Sequence, residues 1–300
     1  MNRRLTPALL LLTALAIAAA VALGLTKASF AAPGDFSIDF AAATPSTYNH
    51  ATGGGAYNDG ANTSVVESLE GGDFKCGETV TYLPQIRVAA NAETGPQTIH
   101  LSFSFDADST GQSGIALNPV VSGTPKINTG VVSNGAGPGG TDAGLVDNGG
   151  NANIANIATG LTGTLFNSGA VTTLSFDLSG LDPGDKIVVR IDLKIACQAG
   201  SKPTGNLHGS FVSGSVIAGG TTGNIPGGAQ DITLKNVQNL HFTPTITTAL
   251  VPTSGTAPLQ VHDTATLHNA SGTAGGTAKY RYYTDLNACN AGTYDTPGGS

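Results

Sequence analysis

The chain has no tryptophan, only three cysteines, and charged side chains at just 11% of its 300 residues. Aromatic residues are scarce as well, at 6%. So thin a supply of rings argues against a large enzyme core and for slender sandwich domains. Helical periodicity is missing: after residue 32 no lasting segment repeats apolar residues at helix spacing. Cys76, Cys197 and Cys289 stand far apart, which excludes the close cysteine pairs of a zinc or haem site. The histidines, His50, His100, His208, His241, His262 and His268, show no H-E-x-x-H and no paired metal spacing. A nucleophile elbow is missing too, since Gly111-Gln112-Ser113-Gly114 lacks the second glycine at the required spacing.

What is present begins at the amino terminus. Arg3 and Arg4 precede an uncharged apolar run from Ala8 to Leu25, and Ser29-Phe30-Ala31 supplies a small-residue exit before Pro33-Gly34. A basic start, an apolar middle and small residues before a cut make a secretory signal peptide over residues 1–32, with cleavage expected close to Ala31 or Ala32. A retained anchor is the alternative, because the run approaches the length of a membrane span. Asn2-Arg3-Arg4-Leu5-Thr6 lacks the surroundings of a twin-arginine signal, so export in the unfolded state is expected. Loss of Arg3, Arg4 and Lys27 with the signal takes the net charge from −7 to −10. Such an acidic surface repels phosphate backbones and anionic membranes, so no nucleic-acid partner is expected, and membrane contact only through the signal or a missing C-terminal anchor.

Glycine is abundant, with 42 residues, and Val, Ile and Thr alternate with polar residues in several runs. In Lys186 to Ile195, Ile187, Val189, Ile191, Leu193 and Ile195 share one face, and Val188, Arg190, Asp192 and Lys194 the other. A slip of one residue would expose all five aliphatics, so the register is firmly set. The same pattern groups Val80, Tyr82, Ile86 and Val88, then Ile99, Leu101, Phe103 and Phe105, then Leu174, Phe176 and Leu178, and Ile232 with Leu234. One wet face per strand is the expectation, which is the habit of antiparallel sandwiches. Phe36 to Phe40 and Val65 to Leu69 are candidate edge strands. A Gly-rich stretch from Asn128 to Asn153 reads as a long loop, and Gly219 to Gly228 as a second break. In an exported protein Cys76 and Cys197 are the natural disulfide partners; closing a loop of about 120 residues would stabilise the fold by about 4–5 kcal/mol. Composition shifts at His241-Phe242-Thr243-Pro244, which puts a domain boundary close to Asn239.

Two segments of residues 33–239 resemble the conserved-repeat domains of bacterial surface proteins. They are Cys76-Gly77-Glu78-Thr79-Val80-Thr81-Tyr82 and Leu181-Asp182-Pro183-Gly184-Asp185-Lys186-Ile187-Val188-Val189-Arg190. In the second, Pro fixes φ and Gly supplies the left-handed position of a tight turn. Residues 240–300 resemble a bacterial Ig-like repeat through Pro244 to Leu250, Val261 to Leu267, Gly275 to Tyr283 and Cys289. The resemblance implies an all-β protein: a conserved-repeat-like antiparallel β-sandwich, then a partial second Ig-like sandwich. A full repeat needs about seven strands, so the segment is expected to be cut off before its domain closes, leaving Cys289 without its partner.

Candidate sites are few. Asp106, Asp108 and Thr110 offer oxygens at positions one, three and five of a calcium loop, with Gly111 at six, yet Leu117 stands where a bidentate Glu belongs. This is carried as a structural Ca²⁺ site beside the plainer reading of an Asp-rich turn; no other cofactor is expected. Asp142 and Asp147 are lesser metal candidates. Gly135, Gly137 and Gly140 fit G-x-G-x-x-G without a strand-to-helix setting, so a flexible loop is the better account. Tyr280 and Tyr282 share a strand face and read as core, and Tyr283 as an exposed ring for a sugar. The expectation is a non-catalytic extracellular or cell-surface protein, a stalk or adhesion module meeting an unknown protein or glycan. The alternative is a secreted carbohydrate-binding module or an accessory domain of a larger extracellular enzyme.

Overall fold

The computed structural model describes residues 32–48, 50, 63–92, 95–108, 114–129, 132–133, 146–198, 201, 204–227, 230–240, 244–251, 253–254, 262–268, 270, 276–277, 281–283, 286–292 and 296–297. The signal segment therefore lies outside the described residues. The strands that build the main body are, in chain order, β1 (Phe36–Asp39), β2 (Ala42–Ala43), β3 (Thr63–Val66), β4 (Ser68–Glu70), β5 (Thr79–Tyr82), β6 (Gln85–Val88), β7 (Gln97–Asp106) and β8 (Ile115–Val120). They continue as β9 (Lys126–Ile127), β10 (Val132–Ser133), β11 (Asn153–Thr162), β12 (Val171–Leu181), β13 (Lys186–Cys197), β14 (Leu207–Ala218), β15 (Gly223–Asn224) and β16 (Gln230–Lys235). Further on come β17 (Thr245–Val251), β18 (His262–His268), β19 (Arg281–Tyr282), the short helix α1 (Leu286–Ala291) and β20 (Thr296–Pro297).

The fold is all-β, with two sheets packed as a sandwich and mostly antiparallel pairing. One sheet has nine strands in the order β1-β6-β13-β5-β2-β3-β10, with β8 and β9 also pairing β13. The other has seven, in the order β11-β12-β7-β14-β16-β4, with β15 on β14. Strand β13 is the hub of the first sheet. It pairs β6 and β5 along one side and β9 and β8 along the other. The turn before it is as its residues dictate: Gly184 has φ +86° and the Asp185 N–H donates to the Asp182 carbonyl at 3.1 Å. The Val65–Leu69 run divides at Glu67, giving β3 to one sheet and β4 to the other.

Period-two alternation becomes a single shared core between the sheets. Ile187, Val189, Ile191, Leu193 and Ile195 face Ile99, Leu101, Phe103, Phe105, Leu174 and Phe176, all buried. Burying each such side chain is worth about 1.5–3 kcal/mol, so β13 alone commits much of the sandwich. Aromatic rings knit the centre: Phe40 stacks on Tyr82 at 5.3 Å and Phe103 on Phe176 at 5.7 Å. Strand β14 approaches so closely that a Cβ on Gly209 would lie 2.7 Å from the Tyr82 ring. Only glycine fits there.

The second face of β13 corrects the expectation of a wet side. Val188, Arg190 and Asp192 are buried, Arg190 with 1% exposure and Asp192 with none. The reason is the segment after β1, which crosses the outside of the sheet: Ala43 and Tyr48 pack on Leu83 and Val188 as a second, small core. The Tyr48 hydroxyl donates to the Thr79 carbonyl at 2.9 Å, and burial pushes its ionisation up. Under this cover the Arg190 guanidinium grips Asp192 at 2.7 and 3.0 Å, and the Thr81 hydroxyl donates to the same carboxylate at 2.7 Å.

Strands β17 and β18 form an antiparallel hairpin whose residues are nearly all exposed. Tyr283 is half-buried; Tyr280 and the side chain of Tyr282 fall outside the described residues. Cys289 sits exposed on α1, a helix absent from the sequence reading.

Candidate functional site

Cys76 lies just before β5 and Cys197 ends β13, and the two are joined in a disulfide with Cα atoms 5.7 Å apart. Their chemistry is therefore covalent closure. The Gly77 N–H donates to the Ile195 carbonyl at 2.8 Å, holding the two chain segments in register beside the bond.

The calcium residues are brought only partly together. The Asp106 carboxylate accepts from the His208 backbone N–H at 2.8 Å and stands 3.0 Å from His208 Nδ1. Asp108 is buried just past the end of β7, and Thr110 lies outside the described residues. Leu117, at the twelfth position, is a core residue of β8 paired with Ile195. Among the described residues no group of three or more His, Cys, Asp or Glu is placed to hold a metal ion. Asp147 is engaged by its own backbone, accepting from the N–H groups of Asn151 and Ala152 at 3.2 and 3.0 Å. Asp142, Gly111 to Ser113, and Gly135, Gly137 and Gly140 lie outside the described residues.

Three histidines are paired with carboxylates, an arrangement the sequence pattern did not announce. His50 meets Glu78 at 2.8 Å, His100 meets Asp177 at 2.7 Å and His208 meets Asp106 at 3.0 Å. His100 and Asp177 are directly opposite on β7 and β12, so that pair ties neighbouring strands. Asn156 donates to Asp177 at 2.6 Å and, with His100, holds this carboxyl below the usual range. Asp185 is the opposite case. Burial raises it against two backbone N–H bonds, from Asn148 and Asp182.

Two open concavities lie on the outer faces. On the seven-stranded sheet, a trough of about 540 Å³ is lined by Ser102, Ser104, Gly160, Thr173, Ser175 and Val212. It is hydroxyl-rich and uncharged. On the nine-stranded sheet, a hollow of about 420 Å³ lies where β1, β6 and β13 run side by side. The registers Ser37 to Arg87 and Arg87 to Lys186 set these three residues in one cross-strand row. Because Ile86, Val88 and Ile187 point into the core, the row points outward. Arg87 Nε is buried with no hydrogen-bond partner among the described residues. The parity of Arg87 and Lys186 was readable from their aliphatic neighbours. Their juxtaposition was not, because register between distant strands is a tertiary fact.

No family model matches the chain, and no curated protein matches it either. Among solved structures it is similar to the cohesin module of a family 33 glycoside hydrolase from Clostridium perfringens, at 9% identity and a TM-score of 0.26, over 69% of this chain and 98% of that one. It is similar as well to the Actinomyces fimbrial adhesin FimA, at 8% identity and a TM-score of 0.19, over 59% of this chain. The match spans about half of the adhesin, 54% of its chain. At such scores the likeness carries no residue roles and no partners across.

Proposed function

We propose that the chain is a non-catalytic module of the cell surface, serving as a stalk or adhesion domain that acts by binding. The observation that carries this reading is the Cys76–Cys197 disulfide built into the hub strand. Bonds of this kind form and persist in oxidising compartments outside the cytosol. Further support comes from the use made of reactive side chains. The His50, His100 and His208 pairs belong to different parts of the sheets, and neither outer concavity contains a histidine. What the sandwich offers its surroundings is surface: a hydroxyl-rich trough on one side and a cationic hollow on the other.

The test is location together with thiol state. Antibody against residues 33–239 is expected to label intact cells of the source organism, and alkylation without reductant is expected to leave Cys76 and Cys197 unmodified. Protein confined to the cytosol, with both thiols reactive, would overturn the reading.

A further inference from the structure

We infer that the hollow beside β1 is a binding site for an acidic saccharide, with Arg87 and Lys186 receiving its carboxylate. This deepens the interaction-module reading and rests on it only for the extracellular setting. The argument starts from charge. Arg87 and Lys186 are directly opposite on neighbouring strands, a placement that is destabilising for like charges. The chain carries 20 acidic side chains against 13 basic ones, so carboxylates to neutralise such a pair are plentiful. Yet the carboxylate next to Lys186 in the chain is turned to other work. Asp185 is fully buried and accepts from the Asn148 and Asp182 N–H groups. Arg87 Nε is left buried without a partner among the described residues. An arginine fork with an ammonium beside it matches the planar oxygens of a carboxylate.

The rest of the lining favours a hydroxyl-bearing acid over a bare anion. Asp35 and Ser37 rim the same hollow and present an acceptor and a hydroxyl beside the two cations. Gly34 and Gly184 leave the rim without side-chain bulk. A volume of about 420 Å³ falls within the range of small-ligand pockets. Inorganic sulfate or phosphate would meet repulsion from Asp35 with nothing to donate to it in return. A sugar acid brings hydroxyl donors for Asp35 along with the carboxylate for Arg87 and Lys186.

The experiment titrates the purified exported protein with glucuronate oligosaccharide, the matching neutral glucose oligosaccharide, and sodium sulfate at constant ionic strength. Binding is followed by backbone amide shifts in labelled protein. Glucuronate is expected to move the amides of Gly34 to Ser37, Arg87 and Lys186, whereas glucose leaves them in place and sulfate binds more weakly. Arg87→Gln and Lys186→Gln are each expected to weaken binding roughly tenfold, the loss of one charge-assisted contact. Neither should lower Tm in the absence of ligand, because neither side chain is paired among the described residues. No shift with glucuronate, or sulfate binding as well as glucuronate, would overturn the inference. A large fall in Tm for Arg87→Gln alone would overturn it too, by making Arg87 a structural residue. Surface labelling of intact cells would be untouched by any of these failures, so the module reading stands or falls separately.

Discussion

Along β13, Ile187, Val189, Ile191, Leu193 and Ile195 alternate with Val188, Arg190, Asp192 and Lys194, and all five are completely buried. Along β17, Ile246 and Leu250 share a face with Thr248 between them, and they are 61% and 45% exposed. Leu267, paired with Ile246 from β18, is 54% exposed. Both regions are extended strands carrying aliphatic residues, and they meet opposite fates. Alternation tells a chain to extend; burial needs an opposing sheet, which β7, β12 and β14 supply to β13. A two-stranded ribbon is marginal in water without such a surface. The sandwich adds a covalent tie and a buried ion pair that the hairpin has no counterpart for among the described residues.

The largest test of this contrast removes the tie. Replacing Cys76 and Cys197 together by alanine is expected to destabilise the sandwich by about 4 kcal/mol and lower its Tm by about 10 °C. Cross-strand contacts between Thr247 and Thr266, followed by nuclear Overhauser effects, should not respond. An unchanged Tm would mean that chain closure is not what sets the regions apart.

Next comes the buried pair. Asp192→Ala takes from Arg190 its buried carboxylate, and breaking a buried pair this way costs about 3–5 kcal/mol. A shifted denaturant midpoint with an unchanged slope is the expected result. A midpoint like that of the native chain would show that water reaches Arg190 and that the outer face of β13 is wet after all.

A smaller effect separates two acids by sign. Asp177 is held below its ordinary range, chiefly by Asn156 and then by His100, so its contribution is present above the unfolded value and lost as pH falls through its folded one. Asp177→Asn should therefore cost stability at neutral pH and nothing well below about pH 4. Asp185 is raised by burial, so its effect runs the other way: stability falls as pH rises from the ordinary carboxylate range through the raised value. Urea midpoints of the native chain, Asp177→Asn and Asp185→Asn between acid and neutral pH would read both signs. The smallest effect belongs to the hairpin, where Ile246→Ser should change stability by no more than about 0.5 kcal/mol. A larger loss would mean that a covering surface reaches Ile246.

The strands that carry a dense aliphatic alternation, β5, β6, β7, β12, β13 and β16, were legible, and so was the cysteine pair flanking two of them. Strand β14 escaped because Gly209 and Gly214 interrupt its apolar face, and Gly209 is glycine to admit the Tyr82 ring. Strand β11 escaped because it ends the sheet order, carries small residues, and bulges between Ala155 and Ala158. The pattern misled at Arg190 and Asp192, since polar residues read as wet unless a covering segment is known. That segment holds Ala43 and Tyr48, far away in sequence and without periodicity. The cationic hollow was hidden for a related reason: its three residues are ordinary one by one and meet only through strand order.

The position of the disulfide also decides how the sandwich answers to pulling. Cys76 and Cys197 are 121 residues apart in sequence. Fully drawn out, that stretch would reach about 400 Å, at roughly 3.3–3.6 Å per residue. Tension applied between Phe36 and Leu240 would pass from one sulfur to the other and leave the enclosed strands unloaded. Only the flanks, β1 to β4 on one side and β14 to β16 on the other, could unravel. A tether made from this domain would keep about 400 Å of chain locked behind a covalent bond, where tension cannot reach it.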